Sequence, residues 1–337
     1  MPLRFGINGL GRVGRALLRV IRGREELQLA AVNDVAPADV LARLVARDSV
    51  HGLFGGQVSA EAGFLVIDGR RIPAFQESDP AQVDWSREGV SVVVEATGRF
   101  IGRRRAAAHL RGTVRRVVLT ANADPADPAD VTVCLGLNET AFDPDRHAVI
   151  SNASCTTNCL ALVAKVLHDR FGVRRALMSA VHGYTENQRL LDLPHADPRR
   201  SRAAALNIIP TSTTAPQALG LVIPELAGRV EGLAVRVPTP MVAMLDLVAE
   251  LEREASVEAV REVFRDAARG RLAGRLGVSE EELVSSDFIG DPRSAVVDLP
   301  LVQVTGGLAR VAAWYDNEWG YAHRLAELLE LIGEKTK

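Results

Sequence analysis

Cys155 lies in Ser151-Asn152-Ala153-Ser154-Cys155-Thr156-Thr157-Asn158-Cys159, where residues that favour helix caps precede apolar residues at helical spacing through Leu160, Val163 and Leu167. The pattern places Cys155 at a helix N-terminus. There the unpaired first-turn N–H groups and the positive helix end favour an anion, so the thiol is expected to ionise below its reference of about 8.5. A thiolate in such a place attacks carbonyl carbon. The candidate base is His182, in Val181-His182-Gly183-Tyr184-Thr185 after the strand-like Ala176-Leu177-Met178-Ser179-Ala180-Val181. A cysteine in an apolar chain is more often a small buried hydrophobe, and a lone histidine a structural one. The polar neighbours favour the nucleophile for Cys155, while nothing local brings His182 beside it.

The elements that would position this pair begin with Leu3-Arg4-Phe5-Gly6-Ile7, a short buried strand. It runs into Asn8-Gly9-Leu10-Gly11-Arg12-Val13-Gly14 and a helical stretch over 15–22. This is G-x-G-x-x-G in the strand–turn–helix context that a dinucleotide needs. Gly9 permits the turn, Gly11 lets backbone approach a pyrophosphate, and Gly14 lets the helix pack closely on the strand. A second strand, Leu27-Gln28-Leu29-Ala30-Ala31-Val32, ends at Asn33-Asp34. Asp34 suits a ribose hydroxyl and would repel a 2′-phosphate, so the expected cofactor is NAD; an ordinary turn aspartate is the alternative.

Further strand-like runs over 90–94, 117–120 and 131–135 alternate with helical segments, as a parallel sheet requires. The expected fold class is α/β: a doubly wound Rossmann domain over 1–153 and an α+β catalytic domain with an antiparallel sheet over 154–318. Strands over 232–237 and 242–248 belong to that second sheet. The amphipathic C-terminal helix, about 319–337, is expected to pack back on the first domain.

At 337 residues, with 47% hydrophobic and 24% charged residues, the chain can bury two cores. A net charge of -2 offers no reason to bind nucleic acid or an anionic membrane. Arg103-Arg104-Arg105 reads as a solvated helix face. No apolar stretch reaches the roughly 20 residues that cross a bilayer. Three cysteines do not make a disulfide framework and no secretory h-region leads the chain, so the expected compartment is the reducing cytoplasm. No metal site is expected, and Cys159 is read as packing, four residues beyond Cys155 on the same helix face.

With these residues in hand, the chain resembles the phosphorylating glyceraldehyde-3-phosphate dehydrogenases of bacterial NAD type over almost its whole length. The resemblance rests on residues 7–15, the block at 151–159, Asn207-Ile208-Ile209-Pro210-Thr211, Val235-Arg236-Val237-Pro238-Thr239, and Trp314-Tyr315-Asp316-Asn317-Glu318-Trp319-Gly320-Tyr321. It implies Cys155 as nucleophile, His182 as base, and Asn317 as the partner of the nicotinamide carboxamide. Asn8, Gly9, Gly11, Arg12, Val13, Gly14, Asp34 and Thr120 are the implied remainder of the cofactor site. Thr185, Arg200 and Arg236 are implied holders of the substrate phosphate. Ser154, Thr156, Thr213 and Thr214 are implied for the attacking inorganic phosphate. The implied substrates are a phosphorylated aldehyde and inorganic phosphate. The segment 184–206, with Leu193-Pro194 of the NAD-type form, implies a homotetramer.

Four positions depart from the family pattern. Thr214 stands for a glycine, Asn187 for an aspartate, Asn122 for a proline near the nicotinamide, and Leu162 for a proline in the helix after Cys155. They leave open a specialised paralogue with altered acyl acceptor, altered substrate or resistance to a thiol-directed inhibitor. Erythrose-4-phosphate dehydrogenase is the neighbouring enzyme reading, disfavoured by Thr185 and Leu193-Pro194. A non-catalytic NAD-binding regulator is the other alternative, and Cys155, His182 and Arg236 together argue against it.

Overall fold

The computed structural model describes residues 1–336, and the chain separates into two compact units. The first comprises 1–135, 139–153 and the residues from Ala322 onward; the second comprises 136–138 and 154–321.

In the first unit β1 (Leu3–Asn8), α1 (Arg12–Val20), β2 (Leu27–Asn33) and α2 (Ala38–Ala46) follow the short hydrophobic periods of the sequence. A small ladder of β3 (Arg47–Asp48) and β4 (Gly52–Leu53) leads to β5 (Val58–Glu61), β6 (Phe64–Ile67) and β7 (Arg70–Phe75). Then come β8 (Val92–Glu95), α3 (Arg103–Ala106), β9 (Arg116–Leu119), β10 (Val131–Thr132) and β11 (Val149–Ser151). The sheet runs β10-β11-β9-β8-β1-β2-β7-β6-β5, parallel from β10 to β7, with β5 and β6 added antiparallel. Both faces of its central strands are buried, the condition that continuous runs such as Val92-Val93-Val94 satisfy. β10 is only two residues long; Val133, Cys134 and Leu135 leave the ladder although buried.

The carboxyl ends of β1, β2 and β8 share a buried polar network. Asn33 Nδ2 donates to Asn8 Oδ1 (2.7 Å), and Asn8 Nδ2 donates to Glu95 Oε2 (2.6 Å). The Trp85 indole donates to His109 Nδ1 (3.1 Å), which turns the His109 Nε2–H toward Glu95 Oε2 (3.1 Å). The Thr97 backbone N–H and hydroxyl both donate to Glu95 Oε1. A carboxylate buried among apolar strands is tolerable only when its lone pairs are met in this way.

The second unit contains α4 (Cys155–Phe171), β12 (Val173–Gly183), β13 (Ile209–Thr211), α5 (Ala215–Val222), β14 (Val230–Val237) and β15 (Ala243–Leu251). It continues with α6 (Val257–Arg269), β16 (Leu276–Ser279), β17 (Ala295–Asp298), β18 (Gln303–Thr305) and β19 (Leu308–Tyr315). The sheet order is β13-β14-β12-β15-β19-β17-β16 with β18 on β19. Pairing is mainly antiparallel, with two parallel pairs, β12 on β14 and β16 on β17. α4 covers one face across β12, β15, β17 and β19, and its own residues are buried nearly throughout. α7 (Trp319–Lys335) ends the chain; within the first unit its Glu330 pairs with Arg24 (2.8 Å), and Lys335 donates to the Phe142 carbonyl (2.7 Å). Among the described residues no helix is long and apolar enough to cross a membrane.

Glu95→Leu leaves buried donors of Asn8, Thr97 and His109 without their acceptor, at an expected cost of about 3–5 kcal/mol. Equilibrium urea unfolding checks this as a lowered midpoint with an unchanged slope.

Candidate active site

The chain enters α4 through Ala153, a buried residue in the left-handed conformation (φ 53°). A side chain rarely accepts that conformation. Ser154 then caps α4: it is extended (φ -108°, ψ 165°), and its hydroxyl accepts the Thr157 N–H (3.0 Å). Cys155 is therefore the first helical residue, with the orphan N–H groups of the first turn around it.

His182 comes from the end of β12. Register pairs it with Arg236 of β14 and Ala243 of β15, and Ala243 with Tyr315 of β19. Paired residues on neighbouring strands share a face, so Arg236, His182, Ala243 and Tyr315 form one row across four strands. Over that row Cys155 Sγ stands 3.8 Å from His182 Nε2. Tyr315 presents its ring edge-on to His182 (centroids 6.2 Å apart), and its hydroxyl bonds Thr156 Oγ1 (2.8 Å). Arg236 Nη1 lies 2.6 Å from His182 Nδ1 and donates to the Gly183 carbonyl (3.2 Å). Tyr315 is a member of this site that local spacing does not single out; only its alternation along β19 signals that it points inward.

Burial pushes the Cys155 thiol up, although the Arg236 charge and the hydrogen bond from Thr156 pull the other way. Burial of the thiolate thus opposes the depression expected from the helix end alone. Burial, then the Arg236 charge, pushes His182 down to about 3. Arg236 is itself held below the usual guanidinium range by burial, with the Arg200 charge adding to the effect. A buried guanidinium whose charge is further disfavoured by a second one makes a place where an anion is welcome.

Arg200 is steadied by Thr211 Oγ1, which accepts from its Nε (2.8 Å), and by Asp197 at 3.5 Å. The Thr185 N–H donates to Gln188 Oε1 (3.2 Å). Ser154 is occupied as the helix cap and Thr156 bonds Tyr315, so both hydroxyls have protein partners. Thr213 Oγ1 accepts the Ala215 N–H at the start of α5 (3.2 Å). Thr214 is exposed in a right-handed conformation (φ -97°), where a side chain meets no backbone strain. Of the other departures, Asn187 Oδ1 is 3.3 Å from His195 Nε2, Leu162 is buried inside α4, and Asn122 is half-buried beyond β9.

In the first unit Gly9 has φ 96°, and a Cβ on Gly14 would lie 2.3 Å from the Gly9 carbonyl oxygen. A Cβ on Gly11 would meet nothing within 4 Å. Gly11 also opens α1, whose first turn carries no acidic residue. Open space before a helix N-terminus fits a dinucleotide pyrophosphate. Asp34 is oriented by the Leu10 and Ala36 N–H groups (2.8 and 3.0 Å), and the Thr120 hydroxyl donates to the Glu95 carbonyl (3.0 Å). Arg12 is ion-paired with Asp48, and Val13 follows it half-buried in the first turn of α1. In the second unit Asn317 Oδ1 accepts the N–H of Val242, itself left-handed (φ 67°). The Asn317 NH₂ remains as the donating end of that amide.

Two family models match the chain: "Glyceraldehyde 3-phosphate dehydrogenase, NAD binding domain" over 3–103, and "Glyceraldehyde 3-phosphate dehydrogenase, C-terminal domain" over 154–317. The second match spans Cys155, His182, Arg236 and Asn317. The chain belongs to the glyceraldehyde-3-phosphate dehydrogenase family. It is 48% identical over 336 residues to glyceraldehyde-3-phosphate dehydrogenase 1 of Bacillus subtilis, covering 99% of both chains. The enzyme of Geobacillus stearothermophilus matches with the same identity and coverage. Glyceraldehyde-3-phosphate dehydrogenase 2 of Streptomyces arenae is 47% identical over 334 residues, again 99% of both chains. Family membership carries with it an NAD-binding domain, in agreement with the open space at Gly11.

Cys155 keeps partial solvent access, whereas Cys134 and Cys159 are buried and burial pushes both thiols up, Cys134 to about 12. Native protein is therefore expected to react with one equivalent of a thiol reagent, absent in Cys155→Ser, the other two thiols reacting only on unfolding; titration with a chromogenic disulfide measures this. His182 supplies an acid-sensitive element of stability. The unfolded chain takes up its proton near pH 6.5 and the folded chain only near 3. The contribution is therefore complete above about pH 6.5 and is lost as pH falls toward 3, at a limiting slope of about 1.4 kcal/mol per pH unit. Urea unfolding at pH 7 and pH 5 should show a shallower acid loss in His182→Asn.

Proposed function

We propose that this protein oxidises glyceraldehyde 3-phosphate with NAD and inorganic phosphate, yielding 1,3-bisphosphoglycerate and NADH. The reading rests on the Cys155–His182 pair at the head of α4 with Arg236 on the same cross-strand row. Cys155 Sγ adds to the aldehyde carbon and the carbonyl oxygen becomes a hydroxyl, giving a hemithioacetal. NAD, held at the Gly9–Gly14 turn with Asp34 on its ribose, supplies the acceptor for the hydrogen on that carbon. His182 Nε2 takes the hydroxyl proton, and a thioester on Cys155 results. Phosphate oxygen then attacks the thioester carbon while the Cys155 N–H and the protonated His182 hold the developing oxyanion. The C–S bond breaks and the acyl phosphate leaves. Arg236 and Arg200, with Thr185, bind the phosphate of the aldehyde, since a planar guanidinium matches phosphate oxygens.

The assembly we propose is a homotetramer working in the cytoplasm. Its support is the sheet face of the second unit opposite α4: Leu177 and Leu233 are exposed there, and Leu206 and Ile208 are exposed nearby in the chain before β14. Exposed apolar surface of this kind marks contact with another chain. Light scattering at four times the chain mass supports the tetramer; one or two chain masses count against it.

Purified protein with glyceraldehyde 3-phosphate and NAD is expected to make NADH only with inorganic phosphate. Cys155→Ser should abolish turnover, and His182→Asn should lower kcat by about 10²–10⁴-fold. One NADH per subunit followed by a stall, or turnover that ignores phosphate, would replace the phosphorylating reading with another acyl acceptor. Faster turnover of erythrose 4-phosphate would reassign the aldehyde.

A further inference from the structure

The dinucleotide turn follows the carboxyl end of β1, and the amino end of the same sheet carries a face of a different kind. Register there sets Phe5 of β1 level with Val92 of β8, and Val92 level with Arg116 of β9. Just ahead of this row the Ser91 N–H donates to the Arg4 carbonyl (2.9 Å), and the Arg115 N–H donates to the Ser91 carbonyl (2.8 Å). The turns over 85–90 and 111–114 are thereby pressed together. The Thr113 hydroxyl donates to the Val90 carbonyl (2.7 Å), and a Cβ on Gly112 would lie 1.8 Å from Ser86 Oγ. Only glycine, here at φ 57°, permits that approach.

This joint gathers Arg4, Arg87, Arg111 and Arg115, while Asp84 and Glu88 are the acids within 84–91 and 111–116. Arg4 Nε and Nη2 both donate to the Glu88 carbonyl (3.1 and 2.5 Å), and Arg115 Nη1 donates to the Gly112 carbonyl (3.0 Å). Among the described residues no carboxylate pairs with any of the four arginines. Arg116, on the flank, donates to the Pro144 carbonyl and feels the Asp145 charge, so it stands apart from them. Other arginine clusters are neutralised. Arg103 and Arg104 pair with Asp130 and Asp127, and Arg265 and Arg269 pair with acids on and beside α6. In a chain of net charge -2, positive charge left uncompensated is therefore a local feature of this joint.

The chemistry of the joint selects its partner. Carbonyls already hold Arg4 and Arg115, so pairing them with a ligand costs little further ordering of their side chains. Their remaining N–H groups form the planar forks that match carboxylates. Single-stranded nucleic acid fits less well: Trp85, the aromatic residue of the two turns, is buried with its indole N–H on His109, and bases find no platform. A membrane also fits less well, because Val90 and Val114 are buried and leave no apolar side chain to enter it.

We propose that this joint, through Arg4, Arg87, Arg111 and Arg115, docks an acidic, extended segment of another protein. None of the four belongs to the cofactor or substrate residues, so docking leaves turnover intact. The inference is independent of which aldehyde the enzyme oxidises.

Calorimetry tests it with a capped peptide in which Glu alternates with Ser, with NAD and inorganic phosphate present to fill the catalytic centre. The same peptide with Gln for Glu is the uncharged control. The full-length protein is expected to bind the acidic peptide with a dissociation constant of about 10–100 μM, weakening about tenfold or more on a tenfold rise in salt. Combined Arg87→Glu, Arg111→Glu and Arg115→Glu should weaken binding about tenfold or more with NADH formation unchanged. Reversing Arg70, Arg170 and Arg253, exposed elsewhere, should leave binding at the wild-type level. Hydrogen exchange on the wild type, which needs no variant, should slow over 85–91 and 111–116 when the peptide binds. Absence of peptide binding, binding that survives the first triple reversal, or protection confined to other segments overturns the proposal. So does tighter binding of single-stranded RNA or of anionic vesicles at equal charge, which would give the face to another class of partner.

Discussion

The position of Cys155 depends on two successive backbone conformations, Ala153 left-handed and Ser154 extended. The first breaks the extended backbone that follows β11, and the second caps α4 by accepting the Thr157 N–H. Together they make Cys155 the first residue of α4, with its thiol over the row of Arg236, His182, Ala243 and Tyr315. An unfavourable residue conformation of about 1–3 kcal/mol is held there by burial and by the long buried helix that follows.

Charge is organised differently in the two units. Around Glu95 the donors from Asn8, His109 and the half-buried Thr97 are paired, so its side chain is a fixed structural part beneath the dinucleotide turn. Around His182 the groups are mismatched: a guanidinium, a carbonyl and a thiol compete for two ring nitrogens. The first arrangement gives rigidity. The second gathers the groups that can hold or move a proton.

Local features were legible in the chain. The turn at Gly9, Gly11 and Gly14, the cap at Ser154 and the helix beginning at Cys155 all follow from residues within a few positions of one another. Cys159, read as packing, is indeed wholly buried. The long-range pairings were not legible. Arg236 beside His182 is a matter of strand register across 54 positions, and Tyr315 beside Thr156 one of helix packing on the sheet across 159. The burial of the Cys155 thiol is not legible either, because a helix end is visible locally whereas the protein packed around the thiol comes from distant strands. Thr214, where the family pattern has glycine, is exposed with a right-handed backbone, so its side chain sits there without backbone strain.

The row of four residues on four strands also bears on how the protein comes to be active. None of its contacts is local, so each must wait for a long loop to close. α4 can form early by its own cap and hydrophobic run, but Cys155 gains its imidazole only when β12, β14, β15 and β19 have all found register. The imidazole partner is therefore absent from partly folded chains, and Cys155 meets His182 only once the second sheet is complete.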